Sequence, residues 1–282
     1  MKPIKLGLIG DNILTSSAPE FHRLAAQQHG ITLTYDLLIP KTLGQTFEDT
    51  VTHARDTGFH ALNITLPYKE RAFELATIPS PKILPLGSVN TVIFNSAGLT
   101  GHNTDYTGFQ KSYRAARSER PAGAVLLIGA GGVGRAIAFA LSQLGASRLG
   151  IHDKDAAKSA RLAADINCLK PGLAQPVNIE AAVQFDAVVN ATQMGMYGYE
   201  GLPIEPQYFP NHCEWAFDAV YQPVETPFKN MAQTKGAQFI SGFELFFNQG
   251  VDAFHHFTGL KIMDEAALRT AMIQRVYRGK KP

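Results

Sequence analysis

The sequence predicts an α/β protein in which parallel sheets alternate with helices. Short apolar runs alternate with helical patterns from the N-terminus onward, an order typical of parallel α/β sheets. A second strand, glycine-rich turn and helix follow near the middle of the chain, at "AVLLIGAGGVGRAIAFALSQLG". With 282 residues, of which 45% are hydrophobic, the chain is long enough for one large domain or two smaller ones.

The first half of the chain supplies the first sheet. "IKLGLIG" predicts a strand, "APEFHRLAAQQHG" a helix, "TLTYDLLI" a strand and "LGQTFEDTVTHARDTG" a second helix. "HALNIT" predicts the next strand. The stretch "LGSVNTVIFNSAGLTGHNTD" predicts a hairpin, because its "NSAG" segment joins two extended arms.

The pattern changes after Asp105, where "YTGFQKSYRAARSERPAG" predicts a helix that runs into a polar loop. We place the crossing between domains there. A βαβ unit is predicted next, with "AVLLIG" as its first strand, "GRAIAFALSQLG" as its helix and "RLGIHD" as its second strand. "FDAVVNAT" and "EWAFDAV" predict two more strands that end in polar residues, where open α/β sheets bind ligands. "GFELFFNQGVDAFHHFTG" predicts a long aromatic helix.

Composition excludes several classes of function. The formal net charge is +2, and the only dense basic run is the tail "YRGKKP", which we interpret as a solvated end. Neither nucleic acid nor a membrane is therefore an expected partner. The N-terminal apolar run is too short for a secretion signal and no run of eighteen apolar residues occurs, so we expect a cytoplasmic protein.

Metal and disulfide chemistry are not indicated either. Cys168 and Cys213 stand alone, without zinc or disulfide spacing, and we expect both thiols to be buried and unreactive. His255 and His256 have no partner at metal-ligand spacing and are interpreted as packing or surface residues. No metal is predicted, and the sequence leaves monomer and homodimer open.

A dinucleotide site is predicted at the turn "GAGGVG", which comprises Gly129, Ala130, Gly131, Gly132, Val133 and Gly134. Gly129 would make the tight turn, Gly131 would let the backbone approach a pyrophosphate, and Gly134 would let helix and strand pack closely. The pyrophosphate would lie at the helix N-terminus, where unpaired N–H groups favour negative charge. The motif alone is weak, but here it follows a buried strand and opens a helix.

The cofactor preference depends on "HDKD", where Asp153 follows the second strand of the unit about twenty residues on. A carboxylate there accepts hydrogen bonds from a ribose hydroxyl and repels a 2′-phosphate, which favours NAD over NADP. Lys154 and Lys158 complicate this preference, because either can meet a phosphate or simply be solvated. FAD or a methyl donor can use the same glycine motif.

A chemical site is indicated by Lys69 in "ALNITLPYKE", which follows a strand that ends in polar residues. A lone lysine is usually a surface residue. Its neighbourhood changes that expectation, since "GSVNT" and "GHNTD" both place Asn-Thr on the arms of the hairpin that follows.

Together with an N-terminal stretch, these motifs resemble the shikimate/quinate dehydrogenase family. Its patterns are SxSPxxH, NxTxPxK, GxVNT, GxNTDxxGF, GAGGxxRA, NxTxxGM, DxxYxPxxT and a late glutamine helix. The chain has, in the same order and over nearly its whole length, "SSAPEFH", "NITLPYK", "GSVNT", "GHNTDYTGF", "GAGGVGRA", "NATQMGM", "DAVYQPVET" and "GFELFFNQ". So many ordered matches make the resemblance highly specific.

The resemblance implies a substrate domain at residues 1–106, completed by C-terminal helices at 242–282, and a Rossmann-type NAD-binding domain at 107–241. It implies oxidation of a ring hydroxyl, with Lys69 and Asp105 as the catalytic pair. A lysine amine accepts the hydroxyl proton only if burial lowers its pKa, about 10.4 in water, or if its titration is coupled to proton movement through a partner. Asp105 would orient that amine and balance its charge.

The same resemblance implies the other site residues. Ser16 and Tyr221 would lie near a substrate carboxylate, and Thr65, Asn90 and Gln249 on the substrate hydroxyls. Thr192, Gly195 and Met196 would flank the nicotinamide, and Val220 and Gly242 would complete the cofactor site. Singly, Ser16 can be a helix cap, Asn90 a turn residue, Gln249 an exposed helical residue and Met196 a core residue.

Two departures from the family pattern bear on specificity. Ala18 replaces the second hydroxyl residue of SxSP, which removes a hydrogen bond to a charged group that contributes roughly 1.5–3 kcal/mol. This favours a changed substrate preference, towards quinate or a related acid such as an amino analogue of shikimate. "HDKD" stands where NADP-using members carry an Asn-Arg-Thr segment, and it lacks the arginine that binds a 2′-phosphate. A non-catalytic sensor of NAD or a cyclic acid is the third hypothesis, and the retained Lys69 and Asp105 argue against it.

Overall fold

The computed structural model describes residues 3–278, with side chains as far as Val276. The last four residues of the basic tail, 279–282, therefore lie outside the described residues. The chain divides into two compact units: Met1–Thr104 with Gln249–Pro282, and Asp105–Asn248. The predicted functional domains, 1–106 with 242–282 and 107–241, remain a prediction.

The first unit contains a five-stranded sheet in the order β2-β1-β3-β4-β5. Its strands are β1 (Ile4–Ile9), β2 (Leu33–Leu38), β3 (Ala61–Ile64), β4 (Thr91–Asn95) and β5 (Gly98–His102). The first three strands are parallel, and β4 runs antiparallel to both β3 and β5. The parallel strands and the predicted hairpin are thus confirmed.

Short helices connect these strands: α1 (Ala18–Gln28), α2 (Pro40–Leu43), α3 (Phe47–Asp56) and α4 (Lys69–Leu75). The predicted second helix corresponds to α3 but begins later than predicted, because Gly44 ends the separate helix α2 in the left-handed conformation and Thr46 and Asp49 form a capping box that begins α3. Buried Leu6, Leu8 and Tyr35 form part of the core of this unit.

Helix α5 (Thr104–Arg117) begins two residues earlier than the sequence predicted. The polar stretch "GHNTD" is therefore the end of β5 followed directly by a helix N-terminus, and Asp105 lies in the first helical turn. The helix begins early because the side-chain oxygen of Asn90, fourteen positions away, accepts the N–H of Thr104.

The second unit contains a six-stranded parallel sheet in the order β11-β10-β9-β6-β7-β8. Its strands are β6 (Gly123–Ile128), β7 (Ala146–His152), β8 (Ala174–Pro176), β9 (Ala187–Asn190), β10 (Trp215–Asp218) and β11 (Gln238–Ser241). This is the doubly wound order, in which the connections reverse direction between β6 and β9. The predicted Rossmann-type sheet is confirmed.

Helices α6 (Gly132–Gln143), α7 (Ala156–Leu169) and α8 (Pro227–Thr234) connect strands of this sheet. Buried Leu126, Val188, Phe228 and other apolar side chains form one core beneath it. Helix α9 (Gly242–Thr258) is the predicted aromatic helix, and the division between the units falls within it, after Asn248. The last helix is α10 (Glu265–Arg278).

The thiols correct one prediction. Cys213 is buried, as expected, but Cys168 is exposed near the end of α7. The apolar residues of this helix, Leu162, Ala163 and Ile166, take up the buried face, which leaves position 168 outside it. Within the described residues, no helix combines the length and hydrophobicity that a membrane span requires.

Candidate active site

Lys69 is buried although it is a lysine, with 6% of its surface exposed at the first position of α4. Its carbonyl oxygen accepts a hydrogen bond from the N–H of Val89 at 3.0 Å. Thr65, at the end of β3, donates its N–H to the Ile9 carbonyl at 2.9 Å. The loop between Thr65 and Lys69 is thus held at both ends by backbone bonds to neighbouring segments.

Tyr68 fixes the same loop from its outer side and was not identified from the sequence. Its hydroxyl donates to Asp11 at 2.7 Å, and its ring stacks on Phe47 with centroids 4.9 Å apart. Burial, and then the hydrogen bond to the Asp11 carboxylate, raise the pKa of Tyr68 to about 12. The bond joins the loop after β1 to the loop that leads to Lys69, a pairing that no local sequence signal reveals.

Asn90 organises the start of α5. Its Oδ1 accepts the N–H of Thr104 at 2.7 Å, and its Nδ2 donates to the Thr104 hydroxyl at 3.0 Å. Thr91 donates its hydroxyl to the same Oδ1 at 3.0 Å. The Thr104 hydroxyl also lies 3.4 Å from Oε1 of Gln249, so two predicted substrate residues meet through Thr104. Asn90 is 4% exposed and is therefore not a simple turn residue.

Asp105 follows Thr104 directly and has 6% of its surface exposed. The residue before Thr104 is also fixed, because Asn103 donates its side-chain amide to the Ser88 carbonyl at 2.9 Å. A carboxylate in the first turn of a helix is favoured by the unpaired N–H groups there. The bonds of Asn103 and Thr104 thus hold the backbone on the N-terminal side of Asp105.

The stretch "SSAP" begins α1. The Ser16 hydroxyl oxygen accepts the N–H of Ala18 at 3.2 Å, which is a capping interaction that leaves its own hydrogen available for donation. Ser17 is 2% exposed and Ala18 is 9% exposed, and the Ala18 methyl packs in the core cluster of this unit. A hydroxyl at position 18 is absent, and Ser17 is buried at the N-cap of the helix.

The three motif glycines of the second unit have different reasons for being glycine. Gly129 has φ +102°, and a Cβ there would lie 2.9 Å from the Ala191 backbone. A Cβ at Gly134 would lie 1.9 Å from the Gly129 carbonyl oxygen, so only glycine lets the helix approach the strand this closely. A Cβ at Gly131, by contrast, meets nothing within 4 Å, and its φ of −75° suits any residue.

Gly131 therefore has no internal reason to be glycine, and the space beside it fits the close approach of a dinucleotide pyrophosphate. Gly131 is also the N-cap of α6, and no side chain caps this helix. The N–H groups of its first turn, at Gly132, Val133 and Gly134, are the donors that an anion needs. The residues present thus fit a dinucleotide.

Asp153 lies beside this turn. Its carboxylate accepts the N–H of Ala130 at 2.7 Å and that of Asp155 at 2.9 Å. Lys154 is exposed, as is Lys158. The acid predicted to meet a ribose is therefore held against the glycine turn by a backbone bond, and neither lysine forms a described contact with it.

A buried polar network, only partly anticipated by the sequence analysis, lies at the carboxyl ends of β9 and β10. Asn190 donates to Asp218 at 2.9 Å and accepts both the N–H and the hydroxyl of Thr192, at 3.0 and 2.7 Å. Asp218 accepts the Thr226 hydroxyl at 2.6 Å. The polar residues at the ends of "AVVN" and "WAFD" were the available sequence signal. The sequence did not show which of these residues would contact each other.

The other predicted cofactor and substrate residues of this unit surround that network. Val220 donates its N–H to Asp218 at 3.0 Å, and a Cβ at Gly242 would lie 2.5 Å from the Asp218 carbonyl. Gly195 is buried at φ +96°, and Met196 is half-buried in the turn that follows. The Tyr221 ring stacks on Phe246, with centroids 4.8 Å apart, and burial raises the pKa of its hydroxyl.

Each unit thus assembles one set of predicted residues. The first unit holds Ser16, Thr65, Lys69, Asn90 and Gln249, and the second begins with Asp105 and holds the dinucleotide turn with Asp153, Thr192 and Tyr221. Among the described residues no group of His, Cys, Asp and Glu is arranged to hold a metal ion. A doubly wound sheet with a glycine turn and an acid after its second strand, joined to a unit with a buried lysine, defines a dinucleotide-dependent dehydrogenase.

Comparison with known proteins identifies the family. The sequence profile of the shikimate dehydrogenase substrate binding domain matches residues 8–92. A quinate/shikimate dehydrogenase (NAD(+)) from Corynebacterium efficiens is 36% identical over 92% of this chain and 94% of its own. A shikimate dehydrogenase (NADP(+)) from an Arthrobacter species is 32% identical over 91% of this chain and 90% of its own.

A solved structure of the same kind is similar throughout. Quinate dehydrogenase from Corynebacterium glutamicum in complex with NAD superposes with a TM-score of 0.87 and 32% identity, covering 96% of this chain and 99% of that one. The chain belongs to the shikimate/quinate dehydrogenase family.

Proposed function

We propose that the protein is an NAD-dependent dehydrogenase that reversibly oxidises a ring hydroxyl of shikimate or quinate to the 3-dehydro ketone. The observation that carries the proposal is the connection between Lys69 and the start of α5. The Lys69 carbonyl oxygen accepts a hydrogen bond from the N–H of Val89, and Asn90 follows Val89 directly. The Asn90 side chain accepts the N–H of Thr104, which immediately precedes Asp105. The family relationship supports the same chemistry.

In this reaction the hydroxyl proton goes to the amine of Lys69 as the carbinol carbon loses a hydride. The bound cofactor supplies the hydride acceptor. Asp105 orients the Lys69 amine and balances the charge that the amine gains. In the reverse direction the Lys69 ammonium returns the proton to the alkoxide. Both side chains are buried, which limits their contact with bulk water.

Five further residues are proposed to bind the acid. Ser16 and Tyr221 donate to the carboxylate, and their hydroxyls are suited to this because each can donate a hydrogen. Thr65, Asn90 and Gln249 bind ring hydroxyls. Asn90 keeps one amide hydrogen beyond its bond to Thr104, so it has capacity for a ligand.

NAD is proposed to be preferred over NADP. Asp153 is held beside the glycine turn, where its carboxylate accepts from a ribose diol and repels a 2′-phosphate. No arginine stands at positions 152–155 to bind that phosphate bidentately. Relatives of this chain include dehydrogenases named for NAD and others named for NADP, so the preference needs its own test.

The test is the initial rate of cofactor reduction, with quinate and shikimate each assayed against NAD and NADP. We expect turnover with NAD and a higher kcat/KM for NAD than for NADP. A higher kcat/KM with NADP refutes the preference. No turnover in any combination, by protein that binds NAD, refutes quinate and shikimate as substrates and favours either another acid or the sensor hypothesis.

The role of Lys69 is tested by Lys69→Ala. We expect kcat to fall at least about 100-fold, since general acid–base catalysis contributes about 10²–10⁴-fold, while NAD affinity stays as in the parent. Lys82→Ala, an exposed lysine of the same unit, is the matched control and should retain parental rates. Parental turnover in Lys69→Ala contradicts the assignment.

Ala18 favours a second candidate, a family member whose preferred acid is quinate or an amino analogue of shikimate. The carboxylate has one hydroxyl donor fewer, so the ranking of acids should differ from that of a chain with the full motif. Ala18→Ser is expected to shift the kcat/KM ratio of quinate to shikimate by about tenfold, and an unchanged ratio contradicts this idea. Serine is only slightly larger than alanine, so it suits the buried position at the start of α1. Ala26→Ser, in the same helix, is the control for any loss of stability caused by a buried serine.

A further inference from the structure

The network at the ends of β9 and β10 connects two loops through groups that are completely buried. Asn190 and Asp218 each have 0% of their surface exposed. Asn190 holds Thr192 by two hydrogen bonds and also donates to the Met194 carbonyl at 3.2 Å. Asp218 holds the N–H of Val220 and the hydroxyl of Thr226. The bond between Asn190 and Asp218 joins the two loops.

Both oxygens of the Asp218 carboxylate accept hydrogen bonds from neighbours. Its Oδ1 accepts from Asn190 and from Val220, and its Oδ2 accepts from Thr226. Burial raises the pKa of this carboxyl to about 6, which shows that the ionised form is held at an energetic cost. A buried carboxyl at the end of a strand is not needed for packing, since an apolar residue of similar size would avoid that cost.

We propose that Asp218 and Asn190 are positioning residues that fix loops 191–196 and 219–226 in one arrangement against the nicotinamide half of the cofactor. This proposal rests on the proposed function. Both residues act through Thr192 and Val220, which they hold directly. The pyrophosphate half depends instead on the turn at 129–134, which packs against Ala191 at the start of the first loop but shares no described hydrogen bond with this network.

The consequence is a division of binding energy. Loss of the network should weaken contacts to the nicotinamide and leave contacts to the adenosine diphosphate half unchanged. A purely structural role predicts instead that both halves weaken together as the sheet loses stability.

The experiment compares NADH with ADP as probes of the full-length protein. Asp218→Asn keeps the size of the side chain and an acceptor for Asn190 and Val220, but removes the charged partner of Thr226. Asn190→Ala removes the bonds to Thr192 and to Asp218. Asn167→Ala is the matched control, because Asn167 joins α7 to β8 by two bonds to Ala174 at the other edge of the same sheet.

We expect the ADP dissociation constant to stay within about twofold of the parent in all variants, by calorimetry. The NADH dissociation constant should rise about tenfold in Asp218→Asn and Asn190→Ala, but not in Asn167→Ala. The emission shift of bound NADH, which reports the surroundings of the nicotinamide ring, should shrink in the same two variants. The double variant should lose less than the product of the two single effects, because both act on one network.

Equal loss of NADH and ADP affinity overturns the proposal in favour of a structural role, and parental NADH affinity and emission overturn it outright. Thr192→Val removes the hydroxyl that donates to Asn190 and accepts the N–H of Met194, and it serves as the milder variant if Asp218→Asn does not fold. If the parent binds NADH but oxidises no acid, the proposed function fails while the NADH and ADP comparison still decides this proposal.

Discussion

Gly129, Gly131 and Gly134 belong to one motif but differ in what requires glycine. Two of them are required by the protein itself, since a Cβ would meet backbone at 2.9 Å and at 1.9 Å. Gly131 has an ordinary φ and open space around its Cα hydrogen. A ligand is therefore the remaining reason for its small size. Sequence spacing alone cannot make this distinction, because it assigns the three roles by analogy.

Gly131→Ala and Gly134→Ala separate stability from cofactor binding. Gly131→Ala should change the free energy of unfolding by no more than about 1 kcal/mol, since alanine adopts this conformation without strain. Its NADH dissociation constant should rise at least about tenfold, because the methyl group occupies the space of the pyrophosphate. Gly134→Ala should instead lower the free energy of unfolding by about 2 kcal/mol or more, as an overpacked site does.

Urea unfolding gives the stabilities and calorimetry with NADH gives the affinities. Gly236→Ala, at an open position of the same unit with φ +80°, is a control for backbone strain without a ligand role. Unchanged NADH affinity in Gly131→Ala would contradict the assignment of the turn.

Single residues also show how much of the site was visible in the sequence. The motifs identified Lys69, Asn90 and Asp105 because their spacing is local. They did not identify Tyr68 with Asp11, or Asp218 as the partner of Asn190, although both pairs determine where the site loops lie. These pairs are separated by 57 and 28 positions, so only the folded sheet brings them together.

At the scale of elements, most strands were predicted, but strands β8 and β11 and helices α7, α8 and α10 were not. The buried strands β9 and β10 are continuous apolar runs that end in a polar residue, "AVVN" and "WAFD". The start of α5 was predicted two residues late because Asn90 supplies a remote acceptor for its first N–H. Edge strand β8, three residues long with a proline, has too weak a pattern to be predicted.

Asn90→Ala tests whether this remote acceptor begins the helix. The substitution leaves the buried N–H of Thr104 without its acceptor, which costs about 1–3 kcal/mol, and it also removes the bond to Thr91. We expect the free energy of unfolding in urea to fall by about 2–3 kcal/mol. Asn95→Ala, an exposed asparagine of the same hairpin, should cost less than about 1 kcal/mol. Equal losses in the two variants would contradict a special role for Asn90.

At the scale of the whole molecule, the two units should respond to acid in opposite directions. His22 in the first unit is buried among Phe21, Tyr35, Phe254 and Phe257. Burial lowers the pKa of His22 to about 3, whereas burial raises the pKa of Asp218 in the second unit to about 6. One group must stay neutral to be buried, and the other is buried at a cost when ionised.

The sign follows from proton binding in the folded and unfolded states. Between about pH 3 and 6.5 the unfolded chain protonates His22 and the folded unit does not, so acid destabilises the first unit by up to about 4–5 kcal/mol. Between about pH 4 and 6 the folded unit retains a proton on Asp218 that the unfolded chain has lost. Acid therefore stabilises the second unit by up to about 3 kcal/mol over that range.

Acidification from pH 7 to 4 should thus unfold the first unit before the second. Trp215 is the only tryptophan and is buried in the second unit, so its emission reports that unit, whereas far-UV circular dichroism reports both. We expect ellipticity to be lost at a higher pH than the shift in tryptophan emission.

His22→Phe, which keeps an aromatic ring in the cluster and cannot be protonated, should move the loss of ellipticity to lower pH. Asp218→Asn, which resembles the protonated carboxyl at every pH, should raise the free energy of unfolding of the second unit at pH 7 and leave its stability near pH 4 as in the parent. Coincident transitions that neither variant separates would show that carboxylates elsewhere, rather than these two buried groups, determine acid stability.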